Sequence, residues 1–502
     1  MTTTTDEFFR RWADISAINA AAAVLAWDQE THMPPKGQPA RGRHLAVLAG
    51  LAHERLCDPA LADVIDEVAR EAEPGSDLDA QVREARRAVT RATAVPGELA
   101  RALAEHQSKA LTSWQQARAA NEFPLFAADL ERMVVLTSER ADAYVDAGIA
   151  EQRYDALLDD YEPGARQATL TPLLQALATE LSPLVLAVAD SGRTIDESVC
   201  RGSFPPDAQR AFAVEVATAM GYDFGAGRLD ESAHPFTTGF GPNDVRITWR
   251  WHDDDFRPGL FGVMHETGHA LYEQGLPVDW DGTPIGKAIS LGVHESQSRL
   301  WENQVGRSRA FWEWALPRFR RYFPDHTSFG LDDLWPALHT VTPSLIRVEA
   351  DETTYNLHIV VRYELERQLF SGDLAVMDLP DAWAASYEDL LGIRPSGVDE
   401  GVLQDIHWAM GAFGYFPTYT LGNLLAAQLF EAAERELTDL SGLLSAGEFD
   451  ALLAWLRHTI HTKASRYSVE ELILQATGTR LTPDPFLRYL RANVEAAYGF
   501  AV

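Results

Sequence analysis

The segment from Phe261 to Tyr272 most constrains how this 502-residue chain can fold. It contains His265 and His269, four positions apart, with Glu266 directly after the first histidine. On an α-helix, side chains at i and i+4 lie one above the other on the same face. Two neutral imidazoles on one face can hold one zinc ion, and the adjacent carboxylate can act as a general base on a water molecule that the metal activates. The segment therefore predicts a helix that carries a catalytic zinc site.

Two histidines leave such a site one ligand short, because a catalytic zinc ion takes three protein ligands and keeps one position open. Glu273 lies on the same helix, and three ligands along one straight helix cannot close a tetrahedron. Glu295 is the stronger candidate, because the Pro- and Gly-containing loop 276–286 can return a second, antiparallel helix to the metal. Glu302, two turns further, is expected to orient one of the histidines. His294 is expected to be a buried structural residue or to face the substrate.

The chain is acidic, with 74 Asp and Glu against 43 Lys and Arg and a formal net charge of −31. A nucleic-acid partner is not expected, because phosphate binding requires a basic surface. The two cysteines form no disulfide framework or CxxC pair, and the N-terminus lacks the pattern of a signal peptide. The apolar run 20–27 is too short to cross a membrane. We therefore predict a cytoplasmic protein without a membrane partner.

Helical periodicity dominates the chain. Apolar residues recur at intervals of three and four through residues 6–191 and again through 419–502. Clear β-structure is predicted only within 229–251, where apolar and polar residues alternate after a turn signal. We predict a mainly α protein with a small antiparallel β-sheet near the active site. The edge strand of that sheet either binds an extended substrate or is purely structural.

Further segments occur in the order typical of one enzyme family. Together with the HExxH helix and His294–Gln297, they resemble the thermostable-carboxypeptidase (Taq carboxypeptidase-like) family of zinc metallocarboxypeptidases. The resemblance spans most of the chain. The segments are Trp27–Thr31 with Met33 and Pro34, His234–Phe236, Asp244–Thr248, Ile346–Asp351 and Gly401–Trp408.

The resemblance implies a large helical peptidase with a deep central groove between two lobes. Residues 1–502 are then expected to form a single body, with an N-terminal helical lobe of about residues 1–225, the sheet at 229–251 and a catalytic helical lobe of about 252–502. The resemblance also implies release of C-terminal residues with broad specificity from peptides with a free C-terminus. A homodimer and a Zn²⁺ cofactor that Co²⁺ can replace are implied as well.

A carboxypeptidase must recognise a free α-carboxylate, and the planar fork of an arginine pairs with both oxygens. Arg347, within one of the family segments, is the preferred candidate, and Arg246 is the alternative. Each has a competing structural interpretation. Arg347 could instead form an ion pair with Asp351, and Arg246 could form a salt bridge within the sheet.

The oxyanion that develops during hydrolysis needs a donor besides the metal. The stretch 407–420 contains glycines and a proline and is expected to be a loop. His407 and Tyr419 resemble the histidine and tyrosine that related helical zinc peptidases place over the substrate carbonyl. Tyr415 competes with Tyr419, and these aromatic residues could instead pack the loop. His234 is expected to be either a substrate-side donor or a turn residue.

Two alternative functions remain at this point. One is an endo-acting oligopeptidase of the wider helical HExxH group, in which Arg347 would not bind a carboxylate. The other is a binding protein with a structural zinc ion. The intact Glu266 argues against a structural site, which needs no general base and usually fills its fourth position with protein.

Overall fold

The computed structural model describes residues 3–499 and is mainly helical, with 67% of residues in helices. The predicted mainly α architecture is therefore confirmed, while the predicted helical residues 500–502 lie outside the described range. In chain order, the α-helices are α1 (Thr4–Thr31), α2 (Gln38–Leu56), α3 (Pro59–Glu71), α4 (Asp77–Ala94), α5 (Gly97–Ala120), α6 (Pro124–Asp146), α7 (Arg153–Leu158), α8 (Gln167–Asp190), α9 (Pro206–Met220), α10 (Phe256–Gln274), α11 (Leu291–Arg299), α12 (Arg309–Tyr322), α13 (Leu331–Ala337), α14 (Tyr355–Ser371), α15 (Leu379–Leu391), α16 (Pro417–Glu436), α17 (Leu440–Ala446), α18 (Asp450–Thr459), α19 (Val469–Thr477) and α20 (Asp484–Tyr498).

Three short strands lie between α9 and α10, namely β1 (Gly227–Glu231), β2 (Thr237–Gly239) and β3 (Val245–Trp249). β3 is central, and it pairs in parallel with β1 and antiparallel with β2. The sheet is therefore mixed, which corrects the prediction of a purely antiparallel sheet. Alternation of apolar and polar residues indicates which face of a strand is buried, but it does not indicate which neighbour the strand pairs with.

The HExxH segment lies on α10, which packs against α9, α11 and β3. The helix begins after Asp255, whose side chain caps its first turn. Two glycines allow close packing along it. A Cβ atom on Gly262 would overlap the ring of Trp249, and one on Gly268 would lie 2.5 Å from the backbone carbonyl oxygen of Gln297. Strand β3 and helix α11 therefore contact the backbone surface of α10 directly.

The predicted second helix of the site is interrupted. α11 starts after Ser290, whose side chain accepts a hydrogen bond from the N–H of Val293, and it continues into a π-helical segment, Leu300–Val305. Single π-turns inside helices often occur at functional sites, and Glu302 lies within this one. A 3.6-residue periodicity in the sequence does not reveal such a turn.

The chain divides into two compact units. Each unit is assembled from three separate stretches of chain. The first consists of Met1–Ala92, Asp196–Leu338 and Leu425–Leu481, and contains the sheet, α10 and α11; the second consists of Thr93–Ile195, His339–Leu424 and Thr482–Val502.

Within residues 3–499, α8 is the one helix long and apolar enough, by length and composition, to cross a membrane. Its leucine face, including Leu174, Leu177 and Leu181, is buried, and the helix packs against α14, α15 and α20 of the same unit. A core helix in a soluble protein meets the same criterion, and the packing of α8 is of that kind.

Candidate active site

Three predicted metal ligands converge in the first unit. Nε2 of His269 and Nε2 of His265 lie 3.3 Å and 3.6 Å from Oε2 of Glu295, and one ligand atom from each residue lies within 4.8 Å of the others. In a tetrahedral zinc site with bonds of about 2.1 Å, neighbouring ligand atoms are separated by roughly 3.4 Å. The two histidines and the glutamate therefore fit one metal ion and form the candidate metal site.

The electrostatics at His269 and Glu295 suit a cation, whereas burial lowers the pKa of His265 but Glu295 and Glu302 outweigh that effect and raise it. Burial and the neighbouring ring of His294 lower the pKa of His269 to about 3, so the imidazole is neutral and able to donate a lone pair. Burial raises the pKa of Glu295, but Arg299 and His265 outweigh that effect and bring it well below its ordinary value. An ionised carboxylate beside a neutral imidazole is the protonation state that metal binding requires.

A carboxylate contacts the first histidine at the position where the sequence predicted an orienting residue. Oε2 of Glu302 lies 2.8 Å from Nδ1 of His265. Arg299, which was not predicted, donates from Nε to Oε1 of Glu295 at 2.7 Å and from Nη1 to Oε2 of Glu302 at 3.1 Å. Although burial raises the pKa of Glu302, Arg299 and His265 lower it to about 2. Arg299 lies four residues after Glu295 and three before Glu302, and this helical spacing could have predicted both contacts.

The predicted general base is held by the sheet. Glu266 is 7% exposed, and burial raises the pKa of its carboxyl group. The hydroxyl of Thr237 on β2 lies 2.6 Å from Oε2 of Glu266 and 2.9 Å from its backbone carbonyl oxygen. β2 is an edge strand that pairs with β3 on one side. The edge strand therefore begins at a residue that contacts the candidate general base.

His294 and Glu273 lie behind the second histidine. Nδ1 of His294 is 2.5 Å from Nδ1 of His269, and Nε2 of His294 is 2.9 Å from Oε1 of Glu273. Glu273 therefore interacts with the metal triad through another side chain, in agreement with its exclusion as a ligand.

In the second unit, four predicted substrate-side residues form one cluster. The guanidinium of Arg347 lies 5.3 Å from the ring centre of Tyr419. The ring of Tyr415 lies 5.3 Å from the rings of both His407 and Tyr419. Tyr419 is not in a loop as predicted, because α16 begins at Pro417, a residue that is favoured in the first turn of a helix.

Arg347 is bound to Asp405, and Asp351 has other partners. Nη2 and Nε of Arg347 donate to Oδ1 of Asp405 at 2.7 Å and 3.1 Å, whereas Asp351 accepts hydrogen bonds from the backbone N–H groups of Thr353 and Thr354. A second buried arginine, Arg362, donates from Nε to Oδ2 of Asp405 at 2.7 Å. Burial raises the pKa of Asp405, but the two guanidinium groups bring it below its ordinary value.

The cluster therefore has one positive charge in excess. Among the described residues, Asp405 is the one carboxylate that forms a salt bridge with Arg347 or Arg362. His407 adds no charge near neutral pH, because burial lowers its pKa to about 4. A buried arginine with an incomplete counter-charge is suited to bind an anion.

Glu366 anchors the segment that contains His407. One of its oxygens accepts a hydrogen bond from the indole N–H of Trp408 at 2.7 Å, and the other accepts bonds from the backbone N–H of Gly414 and the hydroxyl of Tyr154, both at 2.8 Å. Glu366 was not predicted, because it occurs within an ordinary helical pattern. Its role depends on contacts with residues far away in the sequence.

The other two substrate-side candidates lie in the first unit. Arg246 forms a bidentate salt bridge with Asp244, with both N–O distances at 2.8 Å, and its guanidinium stacks 4.2 Å from the ring centre of Trp27. These contacts match the alternative interpretation of Arg246 as a sheet residue. His234 is exposed, and its backbone carbonyl accepts a hydrogen bond from Ser232. A substrate role for either residue stays a prediction.

An HExxH helix with a third carboxylate ligand from a neighbouring helix defines the class of zinc-type metallopeptidases. Residues 7–494 match the family model described as carboxypeptidase Taq (M32) metallopeptidase. The chain belongs to this family and is a metallocarboxypeptidase, as the sequence motifs predicted.

Characterised relatives match over nearly their whole length. The chain is 48% identical to thermostable carboxypeptidase 1 of Thermus thermophilus over 502 residues, covering 98% of each chain. It is 37% identical to carboxypeptidase 1 of Bacillus subtilis over 494 residues, again covering 98% of each. Among solved structures, the M32 carboxypeptidase from Deinococcus radiodurans matches with a TM-score of 0.96 and 37% identity, covering 99% of this chain and 100% of that one. Metallocarboxypeptidase 1 of Trypanosoma cruzi matches with a TM-score of 0.93 and 35% identity, covering 99% and 100%.

Proposed function

We propose that the protein removes residues one at a time from the free C-terminus of peptides, with broad specificity, and that its metal is zinc. The choice of zinc is supported by the donor set, because two imidazoles and one carboxylate with an open position are typical of catalytic zinc. Held by His265, His269 and Glu295, the ion would polarise the scissile carbonyl group and activate water. Replacement of Zn²⁺ by Co²⁺ is part of the same proposal.

Glu266 is the proposed general base. Its carboxylate accepts a proton from the attacking water and later transfers that proton to the leaving amine. Two observations support this role: the carboxyl group has a raised pKa, and the Thr237 hydroxyl restrains its position. A base with a pKa closer to neutral both accepts and releases a proton more readily at working pH.

The C-terminus of the substrate is proposed to bind at Arg347, because Arg347 and Arg362 together carry one positive charge more than Asp405 neutralises. Arg347 is held on one side by Asp405, and its Nη1 lies 3.1 Å from the hydroxyl oxygen of Tyr355. A substrate α-carboxylate would neutralise the remaining charge through a charge-assisted hydrogen bond. We propose that His407 and Tyr419 stabilise the oxyanion, with Tyr415 as the competing tyrosine. The proximity of these rings to Arg347 supports that assignment.

The decisive experiment compares two forms of one peptide, with a free and with an amidated C-terminus, by mass spectrometry with and without a metal chelator. We expect stepwise shortening of the free form only, and no product after chelation. Internal fragments from both forms would instead support an endopeptidase. Metal analysis of the purified protein, followed by reconstitution with Zn²⁺ or Co²⁺, tests the identity of the ion.

We also propose a homodimer, with α2 as part of its interface. Val47 and Leu51 are 61% and 44% exposed and lie four positions apart, so they share one face of α2. Charged substitutions at both positions should increase the monomer fraction in sedimentation velocity experiments, and an unchanged dimer would place the interface elsewhere. The cytoplasmic location and the lack of nucleic-acid and membrane partners stay predictions.

A further inference from the structure

The two metal-binding histidines are supported in different ways. His265 contacts a carboxylate directly, through Glu302 at 2.8 Å. Nδ1 of His269 instead faces an imidazole, because it lies 2.5 Å from Nδ1 of His294. The ring of His294 then reaches Oε1 of Glu273 through Nε2 at 2.9 Å. The three side chains are 15%, 18% and 23% exposed, so water has limited access to the chain of contacts.

Proton positions along this chain follow from the direction of metal binding. Nε2 of His269 faces Glu295 and supplies the ligand lone pair, so its ring proton must be on Nδ1. That N–H can only donate to Nδ1 of His294, which must therefore be unprotonated. The remaining proton of His294 is then on Nε2, directed at the carboxylate of Glu273. Every donor faces an acceptor in this one arrangement.

The residues around Glu273 leave space for its carboxylate. Gly239 on β2 faces Glu273, and a Cβ atom at that position would lie 3.2 Å from Oε2 of the carboxylate. His294 packs between the rings of His269 and Tyr272, at centroid distances of 4.5 Å and 5.5 Å. Both the rings and the carboxylate are thus confined by their neighbours.

We propose that His294 and Glu273 are positioning residues that fix the tautomer and ring orientation of His269 through two successive hydrogen bonds. This inference rests on the proposed metal centre and assigns a function to two residues outside the metal triad. A carboxylate that acts on a metal-bound imidazole increases its basicity as a ligand. Here a second imidazole transmits that effect.

The test measures metal affinity rather than activity. Zinc dissociation constants are obtained by competition with a chromophoric chelator for the wild type, Glu273→Gln, His294→Gln and the double variant. We expect each single variant to weaken binding by about 10- to 100-fold. Because Glu273 acts only through His294, the double variant should bind no more weakly than His294→Gln alone. Glu313→Gln, an exposed glutamate on α12, is the matched control and should bind like the wild type.

Additive losses of zinc affinity in the double variant, or wild-type zinc affinity in both single variants, would refute the proposed hydrogen bonds from Glu273 through His294 to His269. Long-range ¹⁵N–¹H spectra of the zinc-loaded protein provide a second measurement, in which His269 should show a protonated Nδ1 in the wild type. Circular dichroism identifies any variant that fails to fold. If the wild type itself binds no zinc, the proposed metal centre is wrong. If the wild type binds zinc but the variants bind it equally well, only the proposed role of His294 and Glu273 is wrong.

Discussion

Substitution of Gly268 by alanine should separate the two helices that supply the metal ligands. The added Cβ atom would lie 2.5 Å from the carbonyl oxygen of Gln297 and 2.6 Å from Cα of Ser298. These are backbone atoms of α11, so no side-chain rotation relieves the overlap. Ordinary contact between such atoms begins near 3.4 Å, so α11 must move away by roughly 0.9 Å.

That movement would carry Glu295 with it. The separation between Oε2 of Glu295 and Nε2 of His269 is now 3.3 Å, close to the roughly 3.4 Å of a tetrahedral zinc site, and a shift of α11 by up to about 0.9 Å would take it away from that value. A displacement of about 1 Å at a catalytic centre can lower the rate by about 100-fold. Overpacking of this kind also costs about 1–3 kcal/mol of folding free energy, partly offset by the helix propensity of alanine.

We expect Gly268→Ala to reduce zinc affinity and kcat/KM by about 100-fold and to lower the thermal unfolding midpoint. Gly42→Ala is the matched control, because Gly42 also lies within a helix, on the side of α2 away from Val47 and Leu51, and its Cβ position has no neighbour within 4 Å. The control should retain activity and gain up to about 1 kcal/mol of stability. If Gly268→Ala binds zinc and unfolds like the wild type, the close contact does not determine the geometry of the metal site.

Three further predictions concern single side chains. Burial raises the pKa of Glu366 to about 7 from an ordinary 4.5, so its contribution to stability is complete below pH 4.5 and is lost as pH rises through about 7. In urea unfolding, the free energy of unfolding of the wild type should therefore fall by up to about 3 kcal/mol more between pH 5 and pH 8 than that of Glu366→Gln. The same pH dependence in both proteins would refute the raised pKa of Glu366. Arg347→Lys keeps the charge but not the planar fork, and should raise KM for free-carboxylate peptides while leaving zinc affinity unchanged; an unchanged KM would contradict carboxylate binding. Thr237→Val should lower kcat by about tenfold by releasing Glu266, whereas Thr238→Val, on the opposite face of β2, should not; equal effects would argue against this restraint.

The sequence alone was sufficient for features that depend on local geometry. A spacing of four residues places His265 and His269 on one helical face, and the loop before α11 made Glu295 a candidate third ligand; the three side chains converge in the structure. The contact between Glu302 and His265 followed from the same helix. The mainly α secondary structure followed from the recurrence of apolar residues every three to four positions, because a helix buries one face.

Tertiary structure decided the features that depend on pairing between distant segments. Asp405 lies 58 positions from Arg347, and Gly414 lies 48 positions from Glu366, so neither contact appears in a local pattern. The mixed order of the sheet and the contact between His294 and His269 likewise depend on which elements pack together. A periodic pattern specifies that a face is buried, whereas the identity of its partner depends on packing among elements remote in the chain.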